Sequence, residues 1–203
     1  STIVVLSALS GTTNALVEIS NSLSKGDRVD AKQKIDKLEA HYRDFVLELV
    51  KKEDTRSKTN AFITEHFEFL NIILRISFSE ALYKDILAQG ELMSTKLFSV
   101  YLEEQGIDHM LLPALEFMTI DGNEEPQLGS IKIKLSQLLQ QNSNKKLFVT
   151  QGYICRNAKG EVDNLKRGGS DYTASLIAAA INATVCDIWT DIDGMQTNDP
   201  RMF

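Results

Sequence analysis

Residues 2–23, TIVVLSALSGTTNALVEISNSL, carry the order of elements from which the fold is read. Thr2-Ile3-Val4-Val5-Leu6 is a β-branched apolar run, the composition of a strand buried in a sheet. Ser7 to Asn14 is a loop of small and hydroxyl residues around Gly11, after which Leu16, Val17, Ile19 and Leu23 recur at helical spacing. A strand that runs through such a loop into a helix aims backbone N–H groups and hydroxyls at a carboxylate or phosphate. The same residues would also serve as a plain capped turn. Further along, Lys146 to Ile154, KLFVTQGYI, is a strong strand, and Asn157-Ala158-Lys159-Gly160 reads as a hairpin tip. Lys166-Arg167-Gly168-Gly169-Ser170-Asp171 then leads into the apolar stretch Ala174 to Ala183, and Thr184 to Thr190 is a strand opening into the acidic loop Asp191-Ile192-Asp193-Gly194. Strands alternating with helices, with polar loops at the strand ends, predict a three-layer α/β/α sandwich on a mainly parallel central sheet.

Between these segments, Asp27 to Gln105 carries long apolar patterns of period 3.6, such as Ile35, Leu38, Tyr42, Val46 and Leu49, with polar faces rich in Lys and Glu. This predicts a helical block. Met110–Leu112 and Phe117–Ile120 are short strand candidates, Asp121-Gly122-Asn123 is a turn, and Ile131 to Gln140 returns to helical spacing.

The 203 residues suit one domain or one with an appendage, and an apolar fraction of 43% supplies a substantial core. With 22 Lys and Arg against 28 Asp and Glu, a net charge of −6 argues against nucleic-acid or anionic-membrane partners, so any bound anion is held locally. Two cysteines, Cys155 and Cys186, lie in strand-like runs, and neither a signal peptide nor a membrane-spanning stretch is visible, which points to a cytoplasmic protein. His41, His66 and His109 are far apart in sequence, so no metal-ligand set is assigned.

Arg167 to Asp171 is the most specific motif. Glycines free the backbone, Ser170 is expected to cap the helix, and Arg167 offers a planar fork for a carboxylate. Asp171 either complements the helix dipole or orients a catalytic cation such as Mg²⁺ beside a transferring phosphate. In Gly90-Glu91-Leu92-Met93-Ser94 a glycine interrupts a helical pattern, at a cost of about 1 kcal/mol relative to Ala. It marks either a helix start with close backbone approach, whose Glu91 accepts from an ammonium group at the rim of a site, or a plain break between packed helices. Asp191, Asp193 and Asp199 lack the spacing of a calcium loop. Thr190-Asp191 suits a ribose or base edge, and Arg201 a phosphate.

Four segments in order resemble the signature segments of the aspartokinases of the amino-acid kinase superfamily. They are Leu6-Ser7-Ala8 through Gly11-Thr12-Thr13-Asn14, Gly90 to Ser94, Arg167 to Ala174, and Ile188-Trp189-Thr190-Asp191 through Asp193-Gly194 to Thr197–Arg201. The resemblance implies ATP- and Mg²⁺-dependent phosphorylation of the side-chain carboxylate of L-aspartate, at the head of lysine, threonine and methionine synthesis, by a homo-oligomer. It also implies roles: Thr13 at the phosphorylated carboxylate, Glu91 on the α-ammonium, Arg167 with Gly168, Gly169 and Ser170 on the α-carboxylate, and Asp171, with Ser7 nearby, organising catalytic cations. Thr190 and Asp191 would meet the adenosine, and Gln196 to Arg201 would line the phosphate path. The chain is then an incomplete kinase domain: an amino-acid lobe at 1–145 with a helical insertion at about 27–105, and at 146–203 the substrate turn and the start of the nucleotide lobe. A Lys-Phe-Gly-Gly-Thr-Ser segment is expected upstream, and the rest of the nucleotide site and regulatory ACT domains downstream. Lys166 stands where many relatives have glycine, adding charge near the phosphates, and Gln196 where many have tyrosine. A glutamate or N-acetylglutamate kinase is the alternative, although Glu91 argues against an N-acylated substrate. A non-catalytic substrate-binding fragment is another.

Overall fold

The computed structural model describes residues 1–166 and 168–190. Three parallel strands, β1 (Thr2–Leu6), β2 (Met110–Leu112) and β3 (Leu147–Gln151), form a sheet in the order β1-β3-β2. Register runs from Thr2 opposite Leu147 to Leu6 opposite Gln151 on one side of β3, and from Met110 opposite Phe148 to Leu112 opposite Thr150 on the other. Parallel neighbours require crossovers, and helices supply them. The crossover between β1 and β2 holds α1 (Thr12–Ser24), α2 (Arg28–Leu49), α3 (Glu53–Ile73) and α4 (Glu80–Glu104). Between β2 and β3 lie the one-turn α5 (Ala114–Phe117) and α6 (Leu128–Gln141), and the hairpin β4 (Ile154–Arg156) with β5 (Val162–Asn164) leads to α7 (Gly169–Ile181).

The apolar stripes foreseen from period 3.6 become one cluster. Leu16, Ile19, Ile35, Tyr42, Ile63, Phe67, Ile86 and Met93 from α1 to α4 are buried together. Asp27 caps α2 by accepting from Asp30 N at 3.0 Å, and Ser79 caps α4 through Leu82 N at 3.2 Å, as short side-chain acceptors do at helix starts. A second cluster joins the sheet to α5, α6 and α7 through Leu112, Phe117, Ile131, Leu135, Phe148, Ile177 and Ala180. Helix α4 packs against all three strands, and α7 packs on β1 and against α6, giving the α/β layering expected from the sequence.

Four local expectations are corrected. Phe117 ends α5 rather than opening a strand, because Pro113 starts a helical turn there; only Thr119 and Ile120 make isolated bridges, to Arg156 and Pro126. The run from Lys146 to Ile154 is two strands, bent where Tyr153 takes φ +64°. Strand β1 is half-buried along most of its length rather than fully buried. Residues 184–190 form no strand and are exposed, Trp189 at 92%. A strand needs a laddered neighbour, and a cleft separates this segment from the outer edge of β1. Accordingly Cys186 is exposed outside any strand, whereas Cys155 is buried in β4.

Candidate functional site

The carboxyl ends of β1 and β3 are tied by Gly152 N donating to Leu6 O at 2.8 Å. In open parallel sheets ligands bind in the crevice beyond such ends. Here the loop after β1, the middle of α4 and the first turn of α7 converge.

Helix α4 passes through Gly90 without a break, so Gly90 is neither a helix start nor a separator. Its role is close approach: a Cβ there would come within 2.8 Å of Ala8 Cβ and 3.4 Å of Thr12 Cγ2 and Leu16 Cδ1. That proximity lets Ala8 N donate to Glu91 Oε1 at 3.3 Å and Ser94 Oγ donate to Ser7 O at 2.7 Å. Glu91 is 3% exposed, and its Oε2 has no hydrogen-bond partner among the described residues. Burial pushes its carboxyl up to about 7, against the pull of backbone N–H groups, including that of Ala8. A buried carboxylate oxygen without a donor is costly when ionised, and a cation placed against it would recover that cost.

On the cleft that Ser7 lines stands the start of α7. Tyr153 forms a positive-φ γ-turn, with φ +64° and Ile154 N donating to Gly152 O at 2.6 Å. This strained conformation is held by its neighbours: Tyr153 N donates to Thr173 Oγ1 at 3.0 Å, and Leu165 N donates to Tyr153 O at 2.8 Å. Thr173 Oγ in turn donates to Gly169 O at 2.7 Å. Gly152 allows the first turn of α7 to sit on β3, since a Cβ there would lie 2.6 Å from Ser170 Cβ and Oγ. The cap is Gly168, left-handed at φ +75°, and not Ser170, whose side chain makes no capping bond. Ser170 is half-buried and Asp171 exposed, in the turn where helix N–H groups favour an anion.

A cleft of about 660 Å³ opens along β1, lined by Ser7, Ser170, Asp171, Ala174 and, opposite, Val185 to Trp189. The structure thus puts Ser7, Ser170 and Asp171 on one cleft and Glu91 behind the loop that Ser7 begins. Thr13, exposed, lies in the first turn of α1 beside buried Thr12. Exposed Thr190 follows Trp189. Arg167, Asp191, Gln196 and Arg201 lie outside the described residues. Among the described residues no group of three or more His, Cys, Asp or Glu side chains is gathered as metal ligands. Lys166 does not lend its charge to the cleft: its Nζ is paired with Glu124 Oε2 at 2.5 Å.

Three residues that matter here were not singled out from the sequence. Gln151 is buried at the end of β3, where its Oε1 accepts from Ala114 N and its Nε2 donates to Thr95 Oγ1, both at 2.8 Å. Gly152 and Tyr153 follow it. The signal was a polar residue and a glycine ending a strong apolar strand, the place where parallel sheets present ligand groups.

The Amino acid kinase family matches residues 1–203. The chain is 34% identical over 203 residues to the lysine-sensitive aspartokinase 3 of Escherichia coli, covering 98% of this chain and 44% of that one. It is 36% identical over 199 residues to the bifunctional aspartokinase/homoserine dehydrogenase 2 of the same organism, covering 97% of this chain and 24% of the other. It therefore spans less than half the length of these relatives. Among solved structures, E. coli aspartokinase III in complex with aspartate and ADP superposes with a TM-score of 0.80 at 32% identity over 98% of this chain and 44% of that one. The aspartate kinase of Clostridium acetobutylicum superposes with a TM-score of 0.73 at 19% identity over 99% of this chain and 43% of that one, a likeness of fold. Matched along its whole length and built on the same parallel sheet, the chain belongs to the amino acid kinase family.

Proposed function

We propose that this chain forms the amino-acid side of an aspartokinase site, which transfers the γ-phosphoryl group of ATP to the side-chain carboxylate of L-aspartate. The observation that carries this reading is Glu91: a carboxylate buried to 3% exposure, with one oxygen unpartnered among the described residues, at the carboxyl end of a parallel sheet. A free α-ammonium supplies the donors that oxygen lacks, and an N-acylated amino acid does not. The substrate's α-carboxylate then falls to the first turn of α7, with Gly168, Gly169, Ser170 and the guanidinium of Arg167. Its side-chain carboxylate falls to Thr13 and the free N–H groups opening α1.

In the transfer an oxygen of that side-chain carboxylate attacks the γ-phosphorus, the bond to the β-phosphate oxygen breaks, and ADP leaves with the electron pair. The residues orient the acceptor in line and neutralise charge, which is the main requirement of phosphoryl transfer. Asp171 and Ser7 put oxygen donors on the cleft, the chemistry a hard cation takes, and Mg²⁺ is commonly held by one or two carboxylates together with substrate phosphates. When bound, Mg²⁺ would neutralise the phosphate oxygens. Thr190, Asp191, Gln196 and Arg201 are assigned to the nucleotide. Two cysteines free of any disulfide and no described helix long and apolar enough to cross a membrane accord with a cytoplasmic setting.

Calorimetry with L-aspartate, L-glutamate and N-acetyl-L-glutamate, followed by a phosphorylation assay with Mg·ATP, tests the assignment. L-Aspartate should bind best and be the amino acid phosphorylated. Preference for either of the other two overturns it.

A further inference from the structure

Helix α2 is remote in sequence from the site segments, yet it sends one polar group to them. Tyr42 is fully buried, its ring edge-on to Phe67 at 5.9 Å and to His41 at 6.2 Å. Its hydroxyl is 3.1 Å from Thr12 Oγ1, and either oxygen can donate. Thr12 is itself fully buried, at the first position of α1, where Gly11 as cap supplies no side-chain acceptor. Its methyl faces Gly90 at the 3.4 Å approach described above, so Thr12 is wedged between α2 and the residue that precedes Glu91.

This arrangement is more than packing. Phenylalanine would fill the same space and keep both ring contacts, whereas burying a phenol costs free energy unless it is hydrogen-bonded. Burial pushes the Tyr42 phenol up to about 12, and the nearby charge of Glu91 pushes in the same direction, so clamp and carboxylate share one wall. Among the described residues, the other side-chain holds on the loop after β1, from Glu91 to Ala8 N and from Ser94 to Ser7 O, both come from α4. Neither reaches the start of α1. Tyr42 does, and the next residue, Thr13, is exposed.

We propose that Tyr42 is a positioning residue. By holding Thr12 Oγ1 it fixes the first turn of α1, and with it Thr13 Oγ1 and the free N–H groups that face the acceptor carboxylate. The α2–α3 pair thereby acts on the phosphoryl acceptor. The inference rests on the aspartokinase reading for what Thr13 faces, and on geometry alone for the clamp.

The test uses this chain with Tyr42→Phe, Thr12→Val, the double substitution and Thr12→Ser. Losing one net hydrogen bond should weaken L-aspartate roughly three- to tenfold in either single variant. The double variant should be no weaker than the singles, because both remove the same bond. Thr12→Ser, which keeps the hydroxyl, should retain the parent's affinity. Mg·ATP affinity should not change, and amide exchange at Thr13 and Asn14 should quicken in Tyr42→Phe. Parent-like aspartate affinity and parent-like exchange in Tyr42→Phe overturn the proposal. So does a loss shared equally by aspartate and ATP that follows Tm, since that is what a packing residue would give. If the unsubstituted chain fails to bind L-aspartate, the aspartokinase reading falls instead, and exchange at Thr13 still decides whether the clamp exists.

Discussion

The site has two carboxylates held in opposite ways. Glu91 is enclosed mid-helix, with the Ala8 N–H on one oxygen and, among the described residues, no partner on the other. Asp171 is exposed in the first turn of α7 and opens on a cleft. A buried carboxylate discriminates by the donor it lacks, because the wrong partner leaves it unpaired in a poorly screened place. An exposed one is hydrated whatever binds, so it can shift and share a mobile cation and phosphates. On the proposed reading, discrimination of the ammonium would fall to Glu91 on α4 and accommodation of a cation and phosphates to Asp171 on α7, whose first turn would also receive the amino acid's α-carboxylate.

The comparison is broken most directly at Glu91. Glu91→Ala should weaken L-aspartate by about 2–4 kcal/mol, since it leaves a desolvated ammonium unpaired, with Mg·ATP affinity nearly unchanged. Calorimetry of both ligands checks this, and an equal loss of both would make Glu91 structural. Protonation is the subtler version. Its carboxyl is raised from an ordinary 4.5 to about 7, so the folded protein holds that proton longer than the unfolded chain. The stabilisation from the neutral form is complete below about 4.5 and is lost as pH rises through about 7, on the order of 3 kcal/mol. An ammonium needs the ionised form. Aspartate affinity should thus be flat above about pH 7.5 and fall nearly tenfold per unit below about 6.5, a slope that Glu91→Gln removes while gaining stability at pH 8.

Gly152 tests the opposite side. A methyl there would stand 2.6 Å from Ser170 Cβ and Oγ and 2.8 Å from its Cα, so α7 must move. Gly152→Ala should lower stability by about 1–3 kcal/mol and weaken aspartate about tenfold or more, read by thermal unfolding and calorimetry. Unchanged aspartate binding would mean that Ser170 does not need its present position.

What the sequence made legible follows from the range of the interaction. Helices α1 to α4 show in a local period, and the glycine in the α4 pattern was enough to draw attention to Glu91. The burial of Glu91 against the loop after β1 was invisible because it joins Oε1 to Ala8 N, 83 residues away. At Gly90 the close approach was foreseen but the helix boundary was not: α4 runs on through it, and the loop after β1 takes the space a side chain would fill. Residues 184–190 have strand composition, yet composition does not supply a neighbouring strand to pair with. The bend at Tyr153 breaks a local rule, a non-glycine residue at positive φ, and only the contacts that hold it explain why it stands.

Lys166 gives the smallest effect and separates surface from site. Its φ of +61° is left-handed, a conformation that costs a lysine about 1–2 kcal/mol and a glycine little. Glycine also has a freer unfolded chain, which takes back about 0.5–1 kcal/mol. The pair with Glu124 joins side chains that are 73% and 50% exposed, so losing it costs at most about 1 kcal/mol and commonly far less. Lys166→Gly should therefore change stability by no more than about 1 kcal/mol, a Tm shift within about 2–4 °C, and the backbone term favours a rise. Aspartate and nucleotide affinity should both stay at the parent's level, because the charge is already committed to Glu124 rather than to the cleft. A loss of nucleotide affinity in this variant would place Lys166 beside the phosphates after all and move the boundary between the enclosed and the open half of the site.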